Sequence, residues 1–439
     1  MDNIRFDFDY TKARVSSEEI KKIGAQLIPE IKNIKSALSQ GYKTEYASVH
    51  LLSDAHMLDA VNQLIDKKKK LHITTLVVVG IGGSNLGTIA VHKALHGDFH
   101  NKKNPDVKVY FADTVDADYL SDVLYLVEKE LRSGEDVLIN VVTKSGTTTE
   151  TVANFELFFS LLKKHKPETY THYIVATTDK GSPLWEYAQQ NAIDCLEVPK
   201  KVGGRYSVFS PVGLFPLGFL GVDIKNLLAG ARCILQDCLD ERVEKNPAML
   251  SAATNYIHYR QGANIHDIFV FAKYLRSFGQ WCRQLVGESV GKKFDREGKE
   301  VAVGVTPTVS VGTVDLHSVA QLYLGGPQDK FTTFLSVTPK AKLFLPKIDV
   351  FETFVENIQG KSISCIMDSI IGGVKAAYEG DKRPFVSVHL PEVEEIYLGQ
   401  LMQWKMLEIM YLGYLLHVNP FDQPQVELYK KETRKLLAK

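Results

Sequence analysis

Apolar residues along this chain gather in short, almost unbroken runs, and between the runs they recur at helical spacing. The stretch "TTLVVVGIGGSNLG" is nearly all apolar until it ends in glycines, and "TIAVHKALHG" behind it reads as a helix closed by Gly97. "VKVYFAD" (107–113), "DVLINVVT" (136–143) and "THYIVATT" (171–178) repeat the run, with helical segments between them. Strands that are apolar at every position and separated by helices predict a parallel sheet covered on both faces. A second series starts after residue 215, with strands at "HDIFVFAKY" (266–274) and "KFTTFLSV" (330–337) and a helix at "SFGQWCRQLVGES". The C-terminal "EVEEIYLGQLMQWKMLEIMYLGYLLHV" reads as mainly helical, and residues 16–40 as helix, because "SSEEI" puts serine and acidic residues ahead of apolar positions at helical spacing. The predicted class is α/β, with two doubly wound units of similar size and no low-complexity linker dividing them.

Composition narrows the function without naming it. The 439 residues suffice for two domains, and 45% apolar with 24% charged residues predicts an ordinary soluble globular chain. Lys plus Arg and Asp plus Glu are 52 each, so no global basic field points to nucleic acid or an anionic membrane. The basic run Lys67 to Lys70 reads as a solvated helix end. Cys195, Cys233, Cys238, Cys282 and Cys365 are scattered and odd in number, which predicts reduced thiols in a cytoplasmic protein and neither a disulfide framework nor a zinc site. The N-terminal residues have no apolar core of a signal peptide, and no segment approaches the roughly 20 apolar residues of a membrane span.

Ligands of open parallel sheets bind beyond the carboxyl ends of the strands, and three such ends carry unusual residues. "GIGGSNLG" (Gly80 to Gly87) lets a backbone approach a ligand and offers the Ser84 hydroxyl, but Asn85 stands where a dinucleotide-binding motif needs glycine. "VVTKSGTTTE" places Thr143, Lys144, Ser145, Thr147 and Thr148 at the entrance of a helix. Such a helix end is an anion site, and one hydroxyl would be enough for a cap, so the cluster points to a phosphate monoester. "VGGRYSVFSPVG" sets Arg205 behind a tight glycine turn. "GESVGKK" (287–293) imitates a P-loop but is one residue short and has Lys293 in place of Ser or Thr. His92 and His96 have the i,i+4 spacing of metal ligands, lack the accompanying glutamate, and read as cations favoured by a helix C-terminus.

Together "GIGGSNLG", "TKSGTTTE", "VGGRYSVFSPVGLFPLG", "QLVGESVGKKF", "VGTVDLHSVAQLYLGG" and "VNPFDQPQVELYKK" resemble, in order and over nearly the whole chain, the glucose-6-phosphate isomerases. The resemblance is to the metal-free kind built from two sugar-isomerase (SIS) domains, and the length looks like the shorter bacterial form. It implies flavodoxin-like α-β-α domains at 46–210, binding phosphate, and at 211–420, carrying the base. Helical arms at 1–45 and 421–439 would pack on the second domain. Ser84, Ser145, Thr147 and Thr148 would hold the 6-phosphate, with Gly83, Thr143, Lys144, Gly204, Gln284 and Gln423 completing the substrate-binding set. Arg205 would stabilise negative charge, Glu288 would be the base, and His317, reaching in from a neighbouring subunit, would open the sugar ring with Lys430. The implied assembly is a homodimer with composite sites, and neither cofactor nor metal is implied. One departure stands near the end: Gln425 occupies a place where the family usually has glycine, which puts the setting of Lys430 in question.

These residue types suit aldose–ketose isomerisation. One carboxylate can take the proton from C2 of the open-chain sugar and return it at C1 through a cis-enediol, a form of general base catalysis typically worth about 10²–10⁴-fold. An arginine cannot lose its own proton beside the developing enediolate. A histidine titrates near neutrality and can serve ring opening. The remote phosphate anchors the reacting carbons. A sugar-phosphate sensor would not need Glu288, Arg205, His317 and Lys430 in their motifs. A bifunctional phosphoglucose/phosphomannose isomerase usually departs near Gln423, and the isomerase half of glucosamine-6-phosphate synthase would need a glutaminase cysteine where Asp2 stands.

Overall fold

The computed structural model describes residues 3–438, which form two compact units. One unit holds the chain through Ile31 and again from Cys233 onward, and the other is Lys32–Arg232. The division thus lies beyond the 210/211 boundary expected from the motifs, and the N-terminal arm is shared out at Ile31. That arm is not purely helical: it opens with the short strand β1 (Arg5–Asp7). The helix expected over 16–40 is two helices, Ser17–Gln26 and Ile28–Leu38. Ser16 and Glu19 cap the first of them reciprocally, each side chain accepting the other residue's backbone N–H. Pro29 opens the second, where a missing N–H costs nothing.

In Lys32–Arg232 the strands are β2 (Ile73–Val79), β3 (Lys108–Ala112), β4 (Asp136–Val142), β5 (Ile174–Thr178) and β6 (Asp194–Glu197). They lie in the order β3-β2-β4-β5-β6, all parallel. Val77, Val79, Ile139, Val141 and Ala176 of the sheet are buried with Val123, Val127, Phe158 and Leu162 of the helices Ala117–Arg132 and Thr149–His165. The fifth strand starts later than its apolar run suggests, because Tyr170–Tyr173 form a tight 3₁₀ turn. The lysine run is not simply a solvated helix end. Lys68 is 1% exposed, pairs with Asp194 at 2.9 Å and donates to the carbonyls of His172 and Ile174, and burial lowers its pKa. Only with those partners can an ammonium lie under the sheet.

The chain then returns with β7 (Ile265–Val270), the hairpin β8 (Lys292–Phe294) and β9 (Glu300–Val303), β10 (Thr306–Val311), β11 (Lys330–Val337) and β12 (Phe385–Leu390). The main sheet runs β1-β12-β11-β7-β10 and is parallel except for β1 at its edge. β7 stops at Val270, and Lys273–Leu275 turn the chain into the helix Arg276–Val290. In both units the first strand of the series stands between the second and the third, the flavodoxin-like arrangement that opens a crevice at the switch in direction. Phe269, Phe334, Tyr378 and Phe385 fill one face of this second sheet.

The helix Glu395–Leu415 is buried on nearly every side, as its uniformly apolar sequence requires. It nevertheless carries Lys405 and Glu408, 1% and 0% exposed. The ammonium bonds both carboxylate oxygens at 2.8 Å, and Asn255 donates to the same carboxylate at 2.9 Å. Glu408→Ala is therefore expected to destabilise the unit by about 3–5 kcal/mol, because it strands a buried charge, whereas Lys405→Met with Glu408→Leu is nearly neutral. Urea titration of the two variants checks the contrast.

Candidate functional site

β2 and β4 flank the switch point of the Lys32–Arg232 sheet, and the glycine loop and the hydroxyl loop are their carboxyl-terminal continuations. Asn85 is buried and donates to the Gly80 carbonyl at 2.7 Å, so the residue that breaks the dinucleotide motif serves to close the turn. Gly82–Ser84 form one 3₁₀ turn. A Cβ on Gly83 would lie 2.6 Å from the Arg205 amide nitrogen, so these two loops touch backbone to backbone. Ser207 fastens them, its hydroxyl lying 2.7 Å from the Gly204 carbonyl and 3.2 Å from that of Gly83. Arg205 is 2% exposed and its guanidinium lies over the Tyr206 ring at 5.5 Å. The structure thus gathers Gly83, Ser84, Gly204 and Arg205 in one place, a grouping that no sequence spacing announces.

In the hydroxyl loop, Thr143 is buried and its hydroxyl shares a hydrogen bond of 2.9 Å with Thr148. Thr148 precedes the helix Thr149–His165 yet makes no side-chain cap bond to it. Gly146, at φ +70°, bends the chain so that the Ser145 hydroxyl takes up the Thr147 amide and hydroxyl at 3.3 and 3.1 Å. Ser145 and Thr147 remain exposed. A helix entrance with uncapped amides and exposed hydroxyls is an anion cradle. Lys144 is half-buried, and burial lowers its pKa against the opposing pull of Asp179.

In the other unit, Glu288 sits in the last turn of the helix Arg276–Val290, where Gln284 one turn earlier donates to its carboxylate at 3.1 Å. The Gln284 side-chain oxygen is buried and has no hydrogen-bond partner. Lys292 donates to the Glu288 carbonyl at 2.9 Å and to the Asp422 carboxylate at 2.8 Å, which ties the Phe421–Asp422–Gln423 stretch to the end of this helix. Gln423 is exposed, and Lys430 points along its own helix Val426–Leu437 to Glu427 at 2.8 Å. Gln425 has φ −67°, which any residue adopts, so replacing glycine there imposes no backbone strain.

His317 is exposed, in a turn (Val314–His317) hung on the carboxyl end of β10 by the Val311 amide, which donates to Asp315 at 2.7 Å. Glu288 lies at the amino end of the same strand. A Cβ on Gly287 would meet Pro307 at 3.9 Å, and one on Gly304 would meet Gly291 at 3.0 Å. A helix following a parallel strand runs back along the sheet, so its last turn reaches the opposite edge from the strand's end. The six residues of β10 thus run between the helix end that carries Glu288 and the turn that carries His317, a strand about 16 Å long as five steps of roughly 3.3 Å. His317 therefore stands past the carboxyl end of a strand and Glu288 does not.

His92 and His96 are joined by His100, which sequence spacing did not single out, with ring centroids 4.7–5.0 Å apart. His92 is 1% exposed, and burial ahead of its two neighbours pushes its pKa down to about 2, so it is a neutral packed ring and not a helix-end cation. Among the described residues, the three such side chains whose donor atoms all lie within 4.8 Å of one another are Asp295, Glu297 and His417. These stand on the surface beside β8 and β9. Lys292 and Ser207 are the residues that sequence reasoning missed. Each lay in a quoted motif, but their contacts are long-range or to backbone carbonyls, which carry no pattern.

The phosphoglucose isomerase family model matches residues 62–439. A glucose-6-phosphate isomerase of Carboxydothermus hydrogenoformans is 35% identical over 83% of this chain and 78% of its own. One of Streptococcus thermophilus is 33% identical over 98% of this chain and 96% of its own. Among solved structures, a hypothetical protein from Thermus thermophilus superposes with a TM-score of 0.85 at 28% identity, covering 99% of this chain and 100% of its own. A Chlamydia trachomatis glucose-6-phosphate isomerase shares the fold, with a TM-score of 0.80 at 22% identity over 97% of this chain and 87% of its own. Among the described residues no helix is long and apolar enough to cross a membrane.

The touching loops give a direct test. Gly83→Ala puts a methyl group against the backbone of Gly204 and Arg205, and overpacking of this kind costs about 1–3 kcal/mol. A lowered urea midpoint with weakened binding of inorganic phosphate is the expected outcome, measured by denaturation and calorimetry.

Proposed function

The chain belongs to the phosphoglucose isomerase family and is an isomerase, and from that premise we propose that it interconverts glucose 6-phosphate and fructose 6-phosphate. The reading is carried by the breadth of the likeness, which takes in every motif from the glycine loop to the C-terminal helix. The hydroxyls of Ser84, Ser145, Thr147 and Thr148, with nearby amides, hold the 6-phosphate. Charge-assisted hydrogen bonds of this sort each contribute about 1.5–3 kcal/mol. Lys144, Gly83, Thr143 and Gly204 shape this grip.

Glu288 then takes the C2 proton of the open-chain aldose and returns it to C1. The electron pair left behind forms the C1–C2 double bond while the C1 carbonyl π pair moves onto O1, where Arg205 holds the charge. A proton passes from O2 to O1, and as the C2 carbonyl forms, the double-bond pair takes the proton back at C1. Gln284 keeps the carboxylate turned to one side by its hydrogen bond, and its own oxygen is left to accept from a sugar hydroxyl. Gln423 and Lys430 line the ring-oxygen side, and His317 passes the proton that opens the ring. No step calls for a cofactor. Placement in the cytoplasm, where the phosphorylated sugars of glycolysis and gluconeogenesis occur, belongs to the same reading.

The separation of Glu288 from His317 by the length of β10 supports a composite site, in which His317 comes from a second copy of the chain. So do the exposed apolar side chains of the same unit, Val314, Leu322, Leu343, Phe344, Phe351 and Phe354, which a partner would cover. Division at Arg232/Cys233 into two sugar-isomerase domains fits the repeated strand order.

A coupled assay for fructose 6-phosphate, with mannose 6-phosphate as the contrasting substrate, tests the activity. Glu288→Gln is expected to lose at least about 10²-fold in turnover while still binding sugar phosphate. Near-parental turnover would remove Glu288 as the base. Mixing Glu288→Gln and His317→Ala chains is expected to restore part of the activity, at one intact site per mixed dimer. Mixed dimers that form and stay inactive would assign His317 to its own chain's site.

A further inference from the structure

The helix that carries Glu288 ends two residues later, at Val290. Its last carbonyls have no partners within the helix, and its C-terminus carries the negative end of the helix dipole. Gly291 returns its amide to the Gly287 carbonyl, and the Glu288 carbonyl is taken by a side chain, the ammonium of Lys292. The Lys292 side chain is 4% exposed, although lysine is among the residues least often buried. An ammonium has three N–H donors. Three acceptors meet this one: the Glu288 carbonyl at 2.9 Å, the Asp422 carboxylate at 2.8 Å and the Asp422 carbonyl. Two of them belong to the residue before Gln423. The nearest substitute, the neighbouring Lys293, is half exposed and pairs loosely with Glu300 at 3.7 Å.

We propose that Lys292 is a positioning residue for the isomerisation, clamping the last turn that carries Glu288 to the Phe421–Asp422–Gln423 stretch so that base and ring-side groups keep one geometry. The proposal rests on the reading of Glu288 as the base. Lys292 bonds the backbone carbonyl of Glu288, so it sets where the base stands. Removal of the ammonium leaves three acceptors without their shared donor and lets the C-terminal stretch move away from the helix end. The hydroxyl loop that grips phosphate lies in the other compact unit and makes none of these bonds.

The test separates positioning from general damage. In Lys292→Met, kcat is expected to fall about 10²-fold, the loss that goes with a misplacement on the order of 1 Å. Affinity for glucitol 6-phosphate, which has the phosphate and no carbonyl, is expected to hold. Asp422→Asn is expected to lower kcat less, and the double variant to be no worse than Lys292→Met, since the two residues act as one unit. If Lys292→Met does not fold, Asp422→Asn, changed at a half-exposed carboxylate, carries the test: reduced kcat with intact affinity supports the clamp, and unchanged kcat overturns it. A parental kcat in Lys292→Met, an equal loss of glucitol 6-phosphate affinity, or additive effects in the double variant also overturns it. Glu288→Gln serves as control: if that variant turns over normally, the reading of the base fails on its own account, whatever Lys292 does.

Discussion

A parallel strand packed by helices on both faces has nowhere to put chemistry except past its ends. That constraint organises both units. β2 and β4 are mostly apolar and buried until they emerge, and there the side chains change to glycine, serine and threonine. Backbone amides become available at the same places because the following helices begin there. The anion cradle is thus a consequence of the sheet's burial, concentrated at the switch point by the strand order. Two loops that are far apart in sequence meet because Gly83 has no side chain to keep them apart.

Charges that do enter the interior obey a second rule: each comes with its partners. Lys68 has a carboxylate and two carbonyls, and Lys405 has both oxygens of Glu408. Lys292 has three acceptors from two chain segments. A desolvated ammonium without such company would cost several kcal/mol. What such groups provide is register, because a fully satisfied lysine allows few alternative packings of the elements it joins. For Lys68 the joined elements include β5 and β6, and for Lys292 they are the helix end at Glu288 and the segment before Gln423.

Much of the α/β class was legible because β2, β4 and β11 are long apolar runs, and a run buried on both faces has little other use. Apart from β12, the strands that escaped notice were short, polar or at an edge. β10 contains proline and two threonines, β6 has four residues, and β1 is bounded by aspartates. Their assignment depends on partners that sequence does not display. Among the site residues, the hydroxyl cluster was legible because its composition exceeds what a helix cap requires. Glu288 and His317 were not, since a single glutamate or histidine has no pattern of its own, and only the motif order of a family marked them. The structure adds what motif order lacks: Arg205 lies against Gly83, and β10 holds Glu288 and His317 apart.

The placing of Glu288 still has to be reconciled with electrostatics. A carboxylate in the last turn of a helix faces the negative end of the dipole, an arrangement that ordinary helices avoid. The helix entrance at Thr149 and the helix end that carries Glu288 thus stand at opposite poles of their own dipoles. At the second of these ends the ammonium of Lys292 bonds the Glu288 carbonyl and offsets part of the negative potential. An ammonium bonded to that carbonyl and to a second segment of the chain holds the helix end in one place. That role also accounts for burying a lysine where an exposed one would have served the hairpin equally well.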